Sequence, residues 1–119
     1  MLIFYFSVNS KAQENNIKQY SNDKGVLSIM YHRFNESKYP STNIQMDIFK
    51  KQIKLIKDLN YEFIHPEEFQ KKFNIPKKQK KILLTIDDAF LSFYDEAWPF
   101  LKKNKIPFIL FVSTEPIGK

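Results

Sequence analysis

Cysteine is absent from this chain, and glycine occurs only twice. The first absence excludes disulfides and thiolate metal sites. The second argues against a turn-rich all-β sandwich and against a glycine-loop nucleotide site, both of which need residues free to take positive φ. A nucleophile elbow, a phosphate loop and a His-x-x-x-His pair are missing too. The apolar run at the N-terminus, Leu2 to Val8, falls far short of the roughly 20 residues that a membrane-spanning helix needs.

What is present is aromatic and basic. Twelve Phe and six Tyr stand in 119 residues that are 43% hydrophobic, enough for one domain with a core and too short for two. The net charge is +6, with lysines gathered at Lys71, Lys72, Lys77, Lys78, Lys80 and Lys81, and again at Lys102, Lys103 and Lys105. Such patches can attract a polyanion. They lack the interleaved aromatics that stack bases, however, so a solvated loop and a helix end are the favoured reading and nucleic acid is not an expected partner. In MLIFYFSVNSKAQ, Ser10 and Ala12 occupy the small-residue positions of a cleavage site before Gln13. Residues 1–12 therefore read as an export signal without its basic start, 13–24 as a polar linker, and the product as exported to the periplasm or cell envelope. An ordinary apolar strand is the competing reading of the same run.

Apolar periodicity organises the rest. GVLSIMYH is apolar on both faces, as in a strand buried within a parallel sheet. Thr42 and Gln45 have capping-box spacing ahead of a stripe of Phe49, Ile53, Ile56 and Leu59, which predicts an amphipathic helix. YEFIH is a short strand; Pro66, Glu67 and Glu68 then open a helix that fades near Phe73 before Pro76. KILLTI is a strand, and residues 92–103 are helical, with Pro99 predicting a kink or a late start. PFILFVST is a last strand with no polar face. The order β-α-β-α-β-α-β implies an α/β fold with a parallel sheet and right-handed crossovers.

Parallel order puts the carboxyl ends of all four strands on one rim, where α/β folds carry their chemistry. The residues that follow the strands are His32, His65, the pair Asp87 and Asp88, and Ser113 with Thr114. Asp87 and Asp88 suit a general base beside a metal ligand; a helix cap beside a solvated acid is the alternative. His32 either lines a site or packs beside Tyr31 and Phe34. His65 precedes Pro66 and reads as an N-cap.

The run ILLTIDDAF…YDEAWPFLKKNKIPFILFVST resembles the opening motif of polysaccharide deacetylases of the NodB-homology type (carbohydrate esterase family 4), and GVLSIMYHRF with FKKQIKLIKDLNYEFIHPEEF resembles the lead-in of their exported, poly-N-acetylglucosamine-deacetylase-like subgroup. The likeness covers residues 25 to 117. It implies a distorted parallel (β/α) barrel that removes acetyl groups from N-acetylated polysaccharide. By position, Asp87 would be the general base, Asp88 one ligand of a divalent metal, commonly zinc, and His32 a residue of the site rim. Ile86 and Ala89 stand where the family has Phe and Gly, and Ala takes positive φ less readily. The family's His-x-x-x-His ligands and catalytic acid His come later than Lys119, and a closed barrel takes roughly 200 residues or more. Residues 25–119 are thus expected to be the N-terminal part of such a domain, with the remaining metal ligands outside this chain. His32 and His65 standing in as ligands is a minor alternative.

Two other classes compete. KKILLTIDD resembles the first strand and magnesium-binding acid pair of signalling receiver domains, but more than 80 residues precede the pair here and no Asp ends PFILFVST. A non-catalytic glycan-binding module would use Tyr31, Tyr94 and Trp98 as stacking surfaces, unless these rings are simply core. Nothing in the sequence sets an oligomeric state.

Overall fold

The computed structural model describes residues 25–71 and 76–114. The export signal, the linker and the fading of a helix near Phe73 fall outside the described residues. Within them the chain runs β1 (Leu27–Tyr31), β2 (Arg33–Phe34), β3 (Asn43–Ile44), α1 (Met46–Asp58), β4 (Glu62–Phe63), α2 (Pro66–Lys71), a 3-10 turn at Lys77–Gln79, β5 (Lys81–Ile86), a π-helical stretch (Phe93–Ala97), α3 (Trp98–Lys103) and β6 (Ile109–Leu110).

The expected alternation of strands and helices is there, and the main sheet is parallel throughout. β5 is its centre: β1 pairs with it over five residues, Leu27 opposite Ile82 to Tyr31 opposite Ile86. Its other edge is shared end to end. The carbonyls of Lys80 and Ile82 receive the amides of Glu62 and Ile64, while the Ile86 carbonyl, on the same edge, receives the amide of Phe111. β4 thus holds the beginning of β5 and β6 its end.

Residues 82–86 are all buried, as a strand covered on both faces requires. β1 departs from the expectation of burial on both sides, since Leu27 and Met30 are about half exposed at 50% and 58%. β6 is shorter than PFILFVST suggested, and Phe111 and Val112 lie exposed beyond it. Both strands sit at the margins of the sheet, where one edge or face lacks a neighbour among the described residues.

α1 buries Met46, Phe49 and Ile53 against the core and leaves Leu55 and Leu59 exposed. Its start is not the expected Thr42–Gln45 capping box. Gln45 is the N-cap residue but makes no side-chain cap; the Met46 amide instead donates to Asn35 Oδ1 at 2.9 Å. Thr42 is occupied elsewhere, its amide donating to the Tyr39 carbonyl and its carbonyl accepting from Arg33 in the small parallel pair β2–β3, an element the periodicity did not reveal. The helix is capped at Leu59, and Asn60 beyond it stands at φ 61, a left-handed conformation that Asn tolerates.

Pro99 disturbs its helix as expected, in a particular form. Proline has no amide to offer the Asp95 carbonyl, and its ring crowds that carbonyl. The turn widens over Phe93–Ala97, and the Trp98 amide reaches back five residues to the Phe93 carbonyl. Rings then link the layers: Tyr31 meets Phe49 edge-on at 4.9 Å, Phe49 meets Phe34 at 5.1 Å, Phe93 meets Phe108 at 5.3 Å, and Trp98 meets Phe108 at 5.6 Å.

Stability should follow this burial. Leu84→Ala, at a wholly buried position of β5, is expected to cost about 2–5 kcal/mol in urea denaturation. Leu55→Ala, on the exposed side of α1, should stay within about 0.5 kcal/mol of wild type.

Candidate active site

Asp87 and Asp88 follow β5 directly. The Asp87 amide donates to the Tyr31 carbonyl at 2.8 Å, which extends the β1–β5 ladder one residue past the strand. Oδ1 of Asp87 is buried and accepts no hydrogen bond from the described residues. An unpaired buried carboxylate oxygen is costly, and a catalytic role or a bound ion or water is what such a group calls for. Asp88 is exposed.

The turn that follows Asp87 is left-handed twice over, with Asp88 at φ 67 and Ala89 at φ 52. Each such residue other than glycine costs roughly 1–2 kcal/mol. The concern raised by Ala89 is therefore answered in the conformation itself: alanine adopts the positive φ that glycine would take freely. The turn delivers Phe90, whose carbonyl accepts from the Phe93 amide at 2.9 Å and opens the next helix.

A second layer of polar contacts holds the neighbourhood. The Ser92 hydroxyl accepts the Phe34 amide at 3.2 Å and donates to the Glu36 carboxylate. Asn35, at φ 57, links α1 to the π-helical stretch, since its Oδ1 takes the Met46 amide and its Nδ2 donates to Glu96 at 2.9 Å. Arg33 pairs with Glu36 at 2.7 Å. The Ser92 hydrogen bond, opposed by partial desolvation and reinforced by Arg33, holds the Glu36 carboxyl below the usual carboxylate value. Arg33, Phe34, Asn35, Glu36, Phe90 and Ser92 line one open groove beside the acid turn together with Leu91, Asp95 and Glu96.

The two histidines of the rim do not join the acids. His32 follows β1 as expected, but lines a separate groove with Tyr31, Thr42 and Gln52, where the Tyr31 hydroxyl donates to Gln52 Oε1 at 2.6 Å and burial raises the Tyr31 pKa. His65 is an N-cap, as its place before Pro66 suggested. Its carbonyl and Nδ1 receive amides of the first turn of α2, and its ring lines a further groove with Trp98 and Pro107. Ser113 and Thr114 are exposed after β6. Among the described residues no three His, Cys, Asp or Glu side chains gather to hold a metal. A catalytic zinc takes three protein ligands; the described residues do not gather three, and His32 and His65 line separate grooves.

Of the rings considered as sugar platforms, Tyr94 is exposed, Trp98 is half-buried edge-on to Phe108, and Tyr31 packs into the core margin. Arg33, Asn35, Glu36 and Ser92 were not singled out by sequence. The HRFNE run following the strand at 27–31 was the available signal.

Two outcomes follow from this geometry. Ala89→Gly should relieve a left-handed alanine and raise the unfolding free energy by roughly 1 kcal/mol, read from denaturant melts. Because the folded pKa of Glu36 is depressed, its contribution to stability is present above the usual carboxylate value and is lost as pH falls through the folded one. Thermal melts from neutral pH into acid should therefore show a shallower acid loss in Glu36→Gln than in wild type.

No protein-family model matches the chain. Among curated proteins, the poly-beta-1,6-N-acetyl-D-glucosamine N-deacetylase of Staphylococcus aureus is 26% identical over an alignment that takes in 82% of this chain and 39% of that protein. Among solved structures, IcaB from Ammonifex degensii superposes with a TM-score of 0.68 at 33% identity, over 81% of this chain and 41% of that one. The Streptococcus pyogenes deacetylase PplD, solved in complex with acetate, gives a TM-score of 0.61 at 28% identity, over 77% of this chain and 44% of that one. The chain spans about two fifths of the length of these relatives. Sequence and fold therefore agree on one kinship: this chain is related to the polysaccharide deacetylases of the NodB-homology type and spans part of their length.

Proposed function

We propose that the chain carries part of an exported, metal-dependent deacetylase that hydrolyses the N-acetyl amide of N-acetylglucosamine units in a polysaccharide, within a distorted (β/α) barrel. The buried Oδ1 of Asp87, without a hydrogen-bond partner among the described residues, is the observation that carries the reading. It supports Asp87 as the general base: the free oxygen accepts a proton from water as the water oxygen bonds to the acetamide carbon. The buried strand β5 and the hydrogen bond from the Asp87 amide to the Tyr31 carbonyl hold the backbone of that residue at the rim. The C–N bond then breaks to give acetate and an amine, and the proton for that amine comes from a group outside the described residues.

Asp88 is exposed one residue on, and is itself the first left-handed residue of the turn, at φ 67. This placement supports Asp88 as one ligand of a divalent metal, zinc in the first instance, with the other ligands outside the described residues. His32 serves at most as a neighbour of the rim. The kinship with deacetylases and the absence of an acceptor Asp after β6 weigh against a receiver domain. The half-buried Trp98 weighs against a stacking module. Export to the periplasm or cell envelope remains the expectation for residues 1–12.

The test is made on the native gene product, with its intact mass and zinc content measured together. Asp87→Asn should lower acetate release from N-acetylglucosamine oligomers by about 10²–10⁴-fold with zinc retained. Asp88→Asn should lose zinc along with activity. An Asp87→Asn protein within twofold of wild type would remove Asp87 from the chemistry, and a mass that includes residues 1–12 would remove the export signal.

A further inference from the structure

The acid turn holds a conformation that its own sequence disfavours. Asp88 and Ala89 are consecutive residues at φ 67 and 52, and neither is glycine. Strain of this kind persists only where the surroundings over-determine the backbone. At the entrance, the Asp87 amide is tied to the Tyr31 carbonyl. At the exit, the Phe90 ring lies under the guanidinium of Arg33, whose central carbon is 3.3 Å from the ring centroid.

Arg33 is itself fixed from every side. Its amide donates to the Thr42 carbonyl at 3.0 Å within the β2–β3 pair. Tyr39 stacks on the guanidinium at 4.1 Å, and Glu36 pairs with it at 2.7 Å. Glu36 is anchored in turn, its amide donating to Asn43 Oδ1 at 2.7 Å and its carboxylate accepting from Ser92. The guanidinium side chain is only 18% exposed. A planar cation stacked by one ring and pressed on another is a role that a lysine ammonium cannot fill.

We infer that Arg33 is the positioning residue of the acid pair: clamped by Tyr39 and Glu36, it presses on Phe90 and fixes the exit of the Asp88–Ala89 turn, and with it the backbone that carries Asp88 beside Asp87. The inference rests on the reading of Asp87 and Asp88 as the reactive pair. Arg33 touches no reacting atom in this account; it acts through Phe90.

The test uses the isotope-labelled 119-residue chain, in which Cα and Cβ chemical shifts of residues 88 and 89 report the sign of φ. Arg33→Lys and Arg33→Met should each move both residues out of the left-handed range while the amides of the β1–β5 ladder keep their shifts. Adding Ala89→Gly, which removes the strain, should return residue 88 to the left-handed range. In the native gene product, the same Arg33→Lys change should lower kcat for acetate release by up to about 10²-fold with KM held, and Ala89→Gly should restore it. Left-handed shifts that survive Arg33→Met in a folded chain overturn the inference. So does an Arg33→Lys chain that matches wild type, which would assign the role to charge pairing with Glu36 alone. Failure of Ala89→Gly to rescue overturns it as well. If Arg33→Met does not fold, Arg33→Lys decides. Should no variant, nor wild type, release acetate, the deacetylase reading fails while the chemical shifts still judge Arg33.

Discussion

Every strand of the main sheet makes its ladder with β5. A strand whose two edges are both engaged and whose residues 82–86 are all buried has no freedom left in register or in face. That constraint reaches the chemistry through one further bond, from the Asp87 amide to the Tyr31 carbonyl. The last rigid residue of the sheet is thus the first residue of the candidate site. α1, the π-helical stretch and α3 then close over the strand with Phe49, Phe93 and Leu101, so the core fixes the strand and the strand fixes the acid.

The turn beyond Asp87 shows how local cost is offset by neighbours. Left-handed Asp88 and Ala89 would relax in an isolated peptide. They are held by a hydrogen bond on one side and an aromatic ring on the other. Arg33, which presses on that ring, comes from the segment after β1, which also caps α1 through Asn35 and reaches the π-helical stretch through Ser92 and Glu96. One short segment joins three elements around the acid pair.

Sequence reading reached some of this and missed the rest for identifiable reasons. β5 was legible because four apolar residues and a β-branched Thr85, bounded by Lys81 and Asp87, have one sensible fate, a strand covered on both faces. β1 has the same apolar character, yet Leu27 and Met30 are exposed, because composition does not reveal which neighbour a marginal strand lacks. The rim topology was legible from strand order, but a rim is long. His32 and His65 share it with the acids and still line other grooves. The cap on α1 was misplaced since its acceptor, Asn35, lies outside the local window in which capping boxes are sought. Pro99 announced a break but not its form, since the widened turn depends on what the Trp98 amide finds five residues back. The acid pair itself was legible as two carboxylates at a strand end; the freedom of Asp87 Oδ1 is a property of packing.

The contact of Trp98 with Phe108 has an optical consequence. The chain holds a single tryptophan, and it sits where α3 meets the approach to β6, with Lys102 5.9 Å from the ring. Intrinsic fluorescence excited at the indole therefore views one end of the molecule: it brightens or shifts as α3 docks on the sheet, and is nearly blind to the β1–α1 side. A fluorescence transition in this protein reports the closing of that corner, and its agreement with a whole-backbone signal such as circular dichroism measures whether the two sides of β5 melt as one.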